Sequence, residues 1–461
     1  MIVLDATIVN VALPSIQEDL GFSQSSLAWV VNAYLISFGG LLLLSGRLGD
    51  LLGRRSVFLS GLVLFTLASM LCGLAQSQGV LVAARFVQGI GGALASAVIL
   101  GMIVTMFPEP REQARAVGVY AFVASAGGAV GLLAGGALTQ WVSWHWIFFV
   151  NVPIGLATVV AAVRLLPSGA GLGIRAGADV PGAALITSAL MLAVYTLVVP
   201  AANEGWTAPA TLSWGGVSFA LAVAFVVREG TAAAPLMPLR ILRSASVAGS
   251  NVVQALGAAG MFGSFFLGSL YLQHVLGYGP LEIGLAFLPV TALMGTLSVR
   301  YSERLVTRFG AQPVLVCGLV LVAAGLACFA LAPVHARYAT DVLPATVLIG
   351  LGAGLCFPPT MTLAMSGVRP SDAGLASGLV NTTGQVGGAI GLAVLSTVAT
   401  GRTTALHGST GALEALTGGY HAAFWIAGAL VVAAVVTAVT VLRPARPVAL
   451  APAETPVPVA A

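Results

Sequence analysis

Apolar stretches of roughly 20 residues, each long enough to cross a bilayer, follow one another along this chain with short gaps between them, and arginine crowds into every second gap. A chain patterned this way must satisfy its backbone polar groups inside hydrocarbon, which leaves helices as the solution for segments of this length. The alternative of a water-soluble fold fails on surface: with 58% hydrophobic and 7% charged residues among 461, there is too little polar material to coat one.

The hydropathy pattern predicts helices near 1–16, 27–46, 56–75, 80–106, 113–138, 146–166, 180–200, 211–228, 246–272, 281–299, 313–332, 341–365, 372–399 and 420–442. The expectation is an all-α polytopic membrane protein with 14 transmembrane segments, the first of them incomplete. If the gap holding Arg47, Arg54 and Arg55 is cytoplasmic, the same side receives Arg111, Arg115, Arg164, Arg175, Arg228, Arg240, Arg243, Arg300, Arg304, Arg308, Arg369, Arg443 and Arg446. The other side receives Arg337 and Arg402, and Arg85 lies within a helix. That bias predicts a multi-pass protein of the cell membrane with both termini in the cytoplasm. The positive charge is thus a topology signal, and its scatter beside acidic residues gives no groove for nucleic acid.

Two charges inside predicted helices are costly enough to need a reason. Asp5 lies in the first helix, and Arg85 lies in the fourth, three residues before Gln88 and on the same face. A buried carboxylate that exchanges a proton beside a guanidinium could couple transport to a proton gradient; a static polar brace between helices is the alternative. Asp5 also sits close to the first residue of a segment short for a span, from which we expect that Met1 falls inside a longer helix.

The segment Gly46–Arg55 is expected to be a short loop, with Gly46, Gly49 and Gly53 permitting a tight turn and Asp50 and Arg54 able to clasp neighbouring helix ends. A plain topogenic loop needs arginine but not this density of Gly and Asp, so the loop, Arg55 included, reads as a gate. A degraded counterpart, Tyr301–Gly310, suggests internal duplication. The organisation that follows is a six-helix bundle over 1–166, an inserted two-helix hairpin with its connectors over 167–243, a second six-helix bundle over 244–442, and a disordered Pro/Ala-rich tail over 443–461.

Glycines concentrate on helix faces, notably Gly127, Gly128, Gly131, Gly135 and Gly136 in the fifth helix and Gly384, Gly387, Gly388 and Gly391 in the thirteenth. They allow close backbone approach, either as static packing or at a moving interface. Asn10, Asn32, Tyr34, Gln254, Tyr271, Asn381 and Gln385 read either as helix-to-helix hydrogen bonds or as the polar lining of a mostly apolar cavity. A cavity with so few acids suits a large hydrophobic or amphipathic substrate. Without any lysine the chain has no phosphate-binding Gly-x-x-x-x-Gly-Lys-[Ser/Thr] element, so an ion gradient is the expected energy source. The scattered histidines and cysteines predict no metal, no cofactor and no catalytic cluster.

With these residues in view, the chain resembles the major facilitator superfamily, specifically its fourteen-helix drug:proton antiporter branch. The resemblance rests on Leu4–Pro14 in the first helix, on Gly46, Gly49, Asp50, Gly53, Arg54 and Arg55, on Arg85 with Gln88, Gly89 and Gly92, and on Gly127, Gly131, Gly135 and Gly136. Trp144–Asn151 with Pro153 and Gly155, and Tyr271–Gly277, extend it. Leu132 departs from that branch's usual Pro and His145 from its usual Arg, and relatives carry a further half helix before Leu4. The resemblance implies a major facilitator fold with alternating access between two bundles, protons entering from outside and hydrophobic drugs or antibiotics leaving the cytoplasm, with a monomer as the working unit. Two other readings stay open beside the multidrug exporter: a dedicated exporter of a single metabolite or self-made antibiotic, and a non-transporting membrane receptor.

Overall fold

The computed structural model describes the chain outside residues 108, 168–170, 172, 174–176, 233–234, 367, 369–372, 408–410 and 443–461; side chains at 100, 104, 110–111, 113–114, 117–118, 121–122, 124–125, 303 and 373–374 are also outside the description. The predicted tail, Arg175, Arg369, Arg443 and Arg446 therefore lie outside the described residues.

The chain is all-α. Its long helices are α1 (Ile2–Leu20), α2 (Ala28–Leu52), α3 (Arg54–Gly73), α4 (Gln78–Met106), α5 (Pro110–Trp141), α6 (Asn151–Leu165, entered through a turn at Trp146–Phe149), α7 (Val180–Thr196), α8 (Pro209–Thr231), α9 (Ala245–His274), α10 (Pro280–Thr296), α11 (Ala311–Ala330), α12 (Leu343–Ser366), α13 (Ala373–Leu406) and α14 (Ala412–Thr440). Among the described residues, 12 helical segments are long and apolar enough to cross a membrane, which makes this a polytopic membrane protein. The helices outside that set are α1, which carries Asp5, Glu18 and Asp19, and α5, whose first turns are charged.

Many helices run further than hydropathy alone predicts. The first continues past Ile16 to Leu20 and ends on Gly21 in the left-handed region, at φ 67°. The larger correction concerns the expected loop at 46–55. Gly46, Gly49 and Asp50 are helical, because α2 continues to Leu52, and the reversal is made by Gly53 alone at φ 92°, with α3 starting at Arg54. The degraded repeat behaves the same way: α10 is extended by a π-turn (Leu297–Tyr301) and a short helix (Ser302–Phe309), and the chain reverses at Gly310, φ 89°, before α11. At both positions an L-residue would be strained, so each turn depends on a single glycine.

Packing pairs α2 and α3 with α4, α1 with α5, and α3 with α6; farther along, α11 packs on α12 and α14, and α9 on α13 and α14. Contacts between these groups run through α5 against α10, α2 against α13, and α1 against α9. The hairpin α7–α8 leans on α2 through α7. Glycine sets the spacing at the crossings: a Cβ at Gly136 would sit 2.7 Å from the Leu281 Cα, and one at Gly284 would sit 2.5 Å from the Leu132 carbonyl.

Candidate functional site

The largest fully buried side chain is Arg85, a cation with 1% exposure, and its partner Asp5 has none. Arg85 Nη1 donates to Asp5 Oδ2 at 2.6 Å and to Gln88 Oε1 at 2.7 Å, and its Nε donates to the Val30 carbonyl at 3.0 Å. The guanidinium also lies over the Tyr34 ring, 4.4 Å from its centroid. Asp5 Oδ1 meanwhile accepts from Gln88 Nε2 at 2.8 Å and from Asn151 Nδ2 at 2.9 Å. Helical spacing explains why α4 supplies two members: residues three apart share a face, so Arg85 and Gln88 grip opposite oxygens of one carboxylate. Three donors around Asp5 fit its anionic form, and a buried ion pair holds only when its remaining hydrogen-bonding capacity is met in this way.

Three further members are absent from the sequence-based expectation. Asn151, at the start of α6, bridges Asp5 and Ser69 Oγ at 3.1 Å; Ser69 in turn donates to the Phe148 carbonyl at 2.8 Å, and Cys72 Sγ approaches Gln88 Oε1 at 3.6 Å. The cluster therefore ties α1, α2, α3, α4 and α6 to one carboxylate. Asn151 belongs to the Trp144–Asn151 motif, and an amide within an apolar run was the available signal.

The Gly46–Arg55 segment sits apart from this cluster. Arg54 Nη2 meets Asp50 Oδ1 at 3.4 Å with both side chains partly exposed, while Arg54 Nη1 donates to the Gly101 carbonyl of α4 at 2.8 Å. Arg55 Nη2 donates to the Val163 carbonyl at 2.6 Å, capping the end of α6. Gly49 is buried against Val98, so its small size serves helix packing, and Gly46 has open space beside it.

Along α5, Gly127, Gly131 and Gly135 face α1: a Cβ at Gly135 would lie 2.8 Å from the Ile8 carbonyl, and one at Gly131 2.8 Å from that of Leu4. Leu4 precedes Asp5, so this stripe lets α5 approach the backbone that carries the carboxylate. Leu132 is fully buried, and His145 stacks on Trp144 with centroids 3.7 Å apart.

The other polar candidates divide. Asn10 and Asn381 donate their Nδ2 groups to carbonyls of their own helices, at Ala6 and Ser377, and Tyr271 is fully buried with its hydroxyl on the Pro333 carbonyl at 2.8 Å. Gln254 of α9 packs at Gly384 of α13. Asn32 is fully buried with neither amide atom bonded, and the Tyr34 hydroxyl, Thr382 Oγ1 and Gln385 Oε1 are likewise buried and unpartnered. Gln385 lies on α13 against Gly39 of α2, so Asn32, two turns along α2 from Gly39, belongs to the same interface.

A helical membrane bundle organised around one buried ion pair, with unpartnered polar groups where its parts meet, is the architecture of a transporter. The chain belongs to the Major Facilitator Superfamily, whose family profile matches residues 1–392. It is 41% identical over 419 residues to the puromycin resistance protein pur8 of Streptomyces alboniger, covering 90% of this chain and 83% of that one. It is 40% identical over 451 residues to the cephamycin export protein CmcT of Amycolatopsis lactamdurans, covering 97% and 90%. In fold it matches a bacterial homolog of the human lysosomal transporter Spinster, solved inward-facing and unoccupied, with a TM-score of 0.67 at 14% identity over 95% of this chain and 93% of that one.

Proposed function

We propose that this protein is a proton-coupled exporter of hydrophobic or amphipathic antibiotic-like compounds. The observation that carries the reading is the Asp5–Arg85 pair: one carboxylate of α1, buried without exposure, accepts from donors on α4 and α6 that themselves bond α2 and α3. A proton arriving at Asp5 weakens its hold on Arg85, Gln88 and Asn151 together, and thereby loosens α1 from α4 and α6. Arg85 keeps its Val30 carbonyl and Tyr34 contacts, so it stays on α2 while Asp5 is neutral. Energy enters as protons, and no cofactor is used.

In this reading fourteen helices cross the cell membrane with both termini in the cytoplasm, and two six-helix bundles, 1–166 and 244–442, rock about a site between them while the 167–243 insert rides beside α2. The tight crossing of α5 and α10 at Gly136 and Gly284 lies toward the outer ends, which fits an inward-facing state. The unpartnered Asn32, Thr382 and Gln385 atoms at the α2–α13 interface are groups that a substrate or water would satisfy when the bundles part. The unit is a monomer in lipid, its partners are the substrate and protons, and it does not engage nucleic acid. A dedicated exporter of one self-made antibiotic is the second reading, favoured by the relative named for cephamycin export.

The test is efflux from energised cells of ethidium, puromycin and a cephamycin, each with and without a protonophore. Protonophore-sensitive efflux of several compounds supports a multidrug exporter and that of one alone the dedicated exporter. Efflux insensitive to the protonophore refutes proton coupling.

A further inference from the structure

At the base of the inserted hairpin two buried carboxylates, Asp179 and Glu229, lie against the same glycine, Gly182. Asp179 and Glu229 are each 3% exposed. Asp179 caps α7: its Oδ1 accepts from the Gly182 amide at 3.0 Å and from Arg228 Nε at 2.9 Å. Glu229 Oε2 accepts from the Met237 amide at 2.7 Å, holding the connector that leads to α9. The two remaining oxygens, Asp179 Oδ2 and Glu229 Oε1, are buried without any hydrogen-bond partner. Both lie around the space that a Cβ at Gly182 would fill, at 2.5 and 3.1 Å from it, which puts them within 5.6 Å of each other by addition.

We propose that Asp179 and Glu229 are a proton-binding carboxyl pair that latches the hairpin base to α2 and to the 232–243 connector. One proton satisfies both orphaned oxygens at once: the protonated carboxyl donates its O–H to its neighbour, a hydrogen bond between a neutral acid and a carboxylate. Without that proton, two like charges face each other in a buried space. Among the described residues the neighbouring charges and amides are engaged at other atoms, and neither orphaned oxygen has a hydrogen-bond partner. Arg228 on α8 already engages Oδ1, Arg47 on α2 directs its Nε to the Gly177 carbonyl at 3.1 Å, and the connector contributes the Met237 amide to Glu229 Oε2. Arg175 lies outside the described residues.

The latch has a mechanical address. Arg47 to Gly177 joins α2 to the strand of chain entering α7, and Leu44, Ala183, Phe225 and Leu236 form one apolar cluster shared by α2, α7, α8 and the connector. As cytoplasmic pH rises the pair loses its shared proton and the two carboxylates repel; Glu229, held by the Met237 amide, parts from Asp179 and the hairpin base opens, whereas at lower pH the proton holds it closed.

The decisive variants are Glu229→Gln, whose amide can donate to Asp179 Oδ2 while its oxygen still accepts from Met237, and Gly182→Ala, whose methyl group parts the two oxygens. Infrared difference spectra of the purified full chain in lipid across a pH titration should show a protonated-carboxyl C=O band in wild type that disappears in both variants. Hydrogen exchange of the Ala183 and Ala232 amides, which close the two helix ends at the hairpin base, should, after correction for intrinsic rates, quicken with pH in wild type and become pH-independent in Glu229→Gln. An unchanged band in both variants, or the same pH-dependent exchange in wild type and Glu229→Gln, overturns the proposal. So does loss of the wild-type band on adding sodium or magnesium at constant pH, which assigns the pair to a cation instead.

Discussion

The two parts of the molecule on either side of the inserted hairpin hold their helices together by different chemistry. Before it, Asp5 and Arg85 place opposite charges in full burial and recruit Gln88, Asn151 and Ser69 around them. After it, the large buried polar side chains are Tyr271 and Tyr420, edge to face with centroids 6.3 Å apart, their hydroxyls on the Pro333 carbonyl and the His274 ring. Gln312 adds bonds to the Ala438 and Leu442 carbonyls. The Tyr271 hydroxyl and Gln312 amide, bonded to backbone carbonyls, stay satisfied whatever protons are present nearby, and the Tyr420–His274 contact at 3.5 Å is long and carries no ion pair, whereas Asp5–Arg85 changes character with one proton. The comparison separates a part built to switch from a part built to brace.

The sharpest way to break that contrast is Arg85→Ala, which strands Asp5 in an apolar interior. We expect a loss of about 3–5 kcal/mol of stability and proton-driven efflux at background, read by thermal unfolding in detergent and a vesicle efflux assay. Survival of wild-type efflux would make the pair a brace like its tyrosine counterpart. Asn151→Ala removes one charge-assisted bond to Asp5, about 1.5–3 kcal/mol, and should shift the pH at which efflux is half-maximal. Gly135→Ala pushes a methyl group toward the Ile8 carbonyl, costs about 1–3 kcal/mol and should slow efflux without moving its pH profile. In the bracing part, Tyr271→Phe should cost about 0.5–1.5 kcal/mol and leave coupling intact, since the Pro333 carbonyl loses only one neutral donor. Smallest in stability is Asp50→Ala, whose exposed pair with Arg54 is worth under about 1 kcal/mol; lowered efflux by a protein of normal stability would separate a gating contact from a structural one.

How much could be read before the fold depends on reach. Hydropathy and arginine placement are properties of segments, so the helices were legible, as were Asp5 and Arg85, whose charges stand out in apolar runs. Asn151 and Ser69 escaped because small polar residues are common in membrane helices and their relevance comes from partners 146 and 79 residues away. The 46–55 segment misled because three glycines look like a turn, yet Gly49 answers to Val98 on a neighbouring helix, and the reversal needs Gly53 alone. Tyr271 was open to two readings, a structural hydrogen bond or a cavity lining, because nothing local reveals the Pro333 carbonyl that takes its hydroxyl.

The bond from Arg85 to the Val30 carbonyl has a genetic consequence. The acceptor is main chain, so ordinary substitutions at position 30 leave it in place. In a screen for inactive alleles, α2 would register through Tyr34, whose ring lies under the guanidinium, while hits at codon 30, whose side chain is buried, would report packing and leave the carbonyl bond itself unmarked.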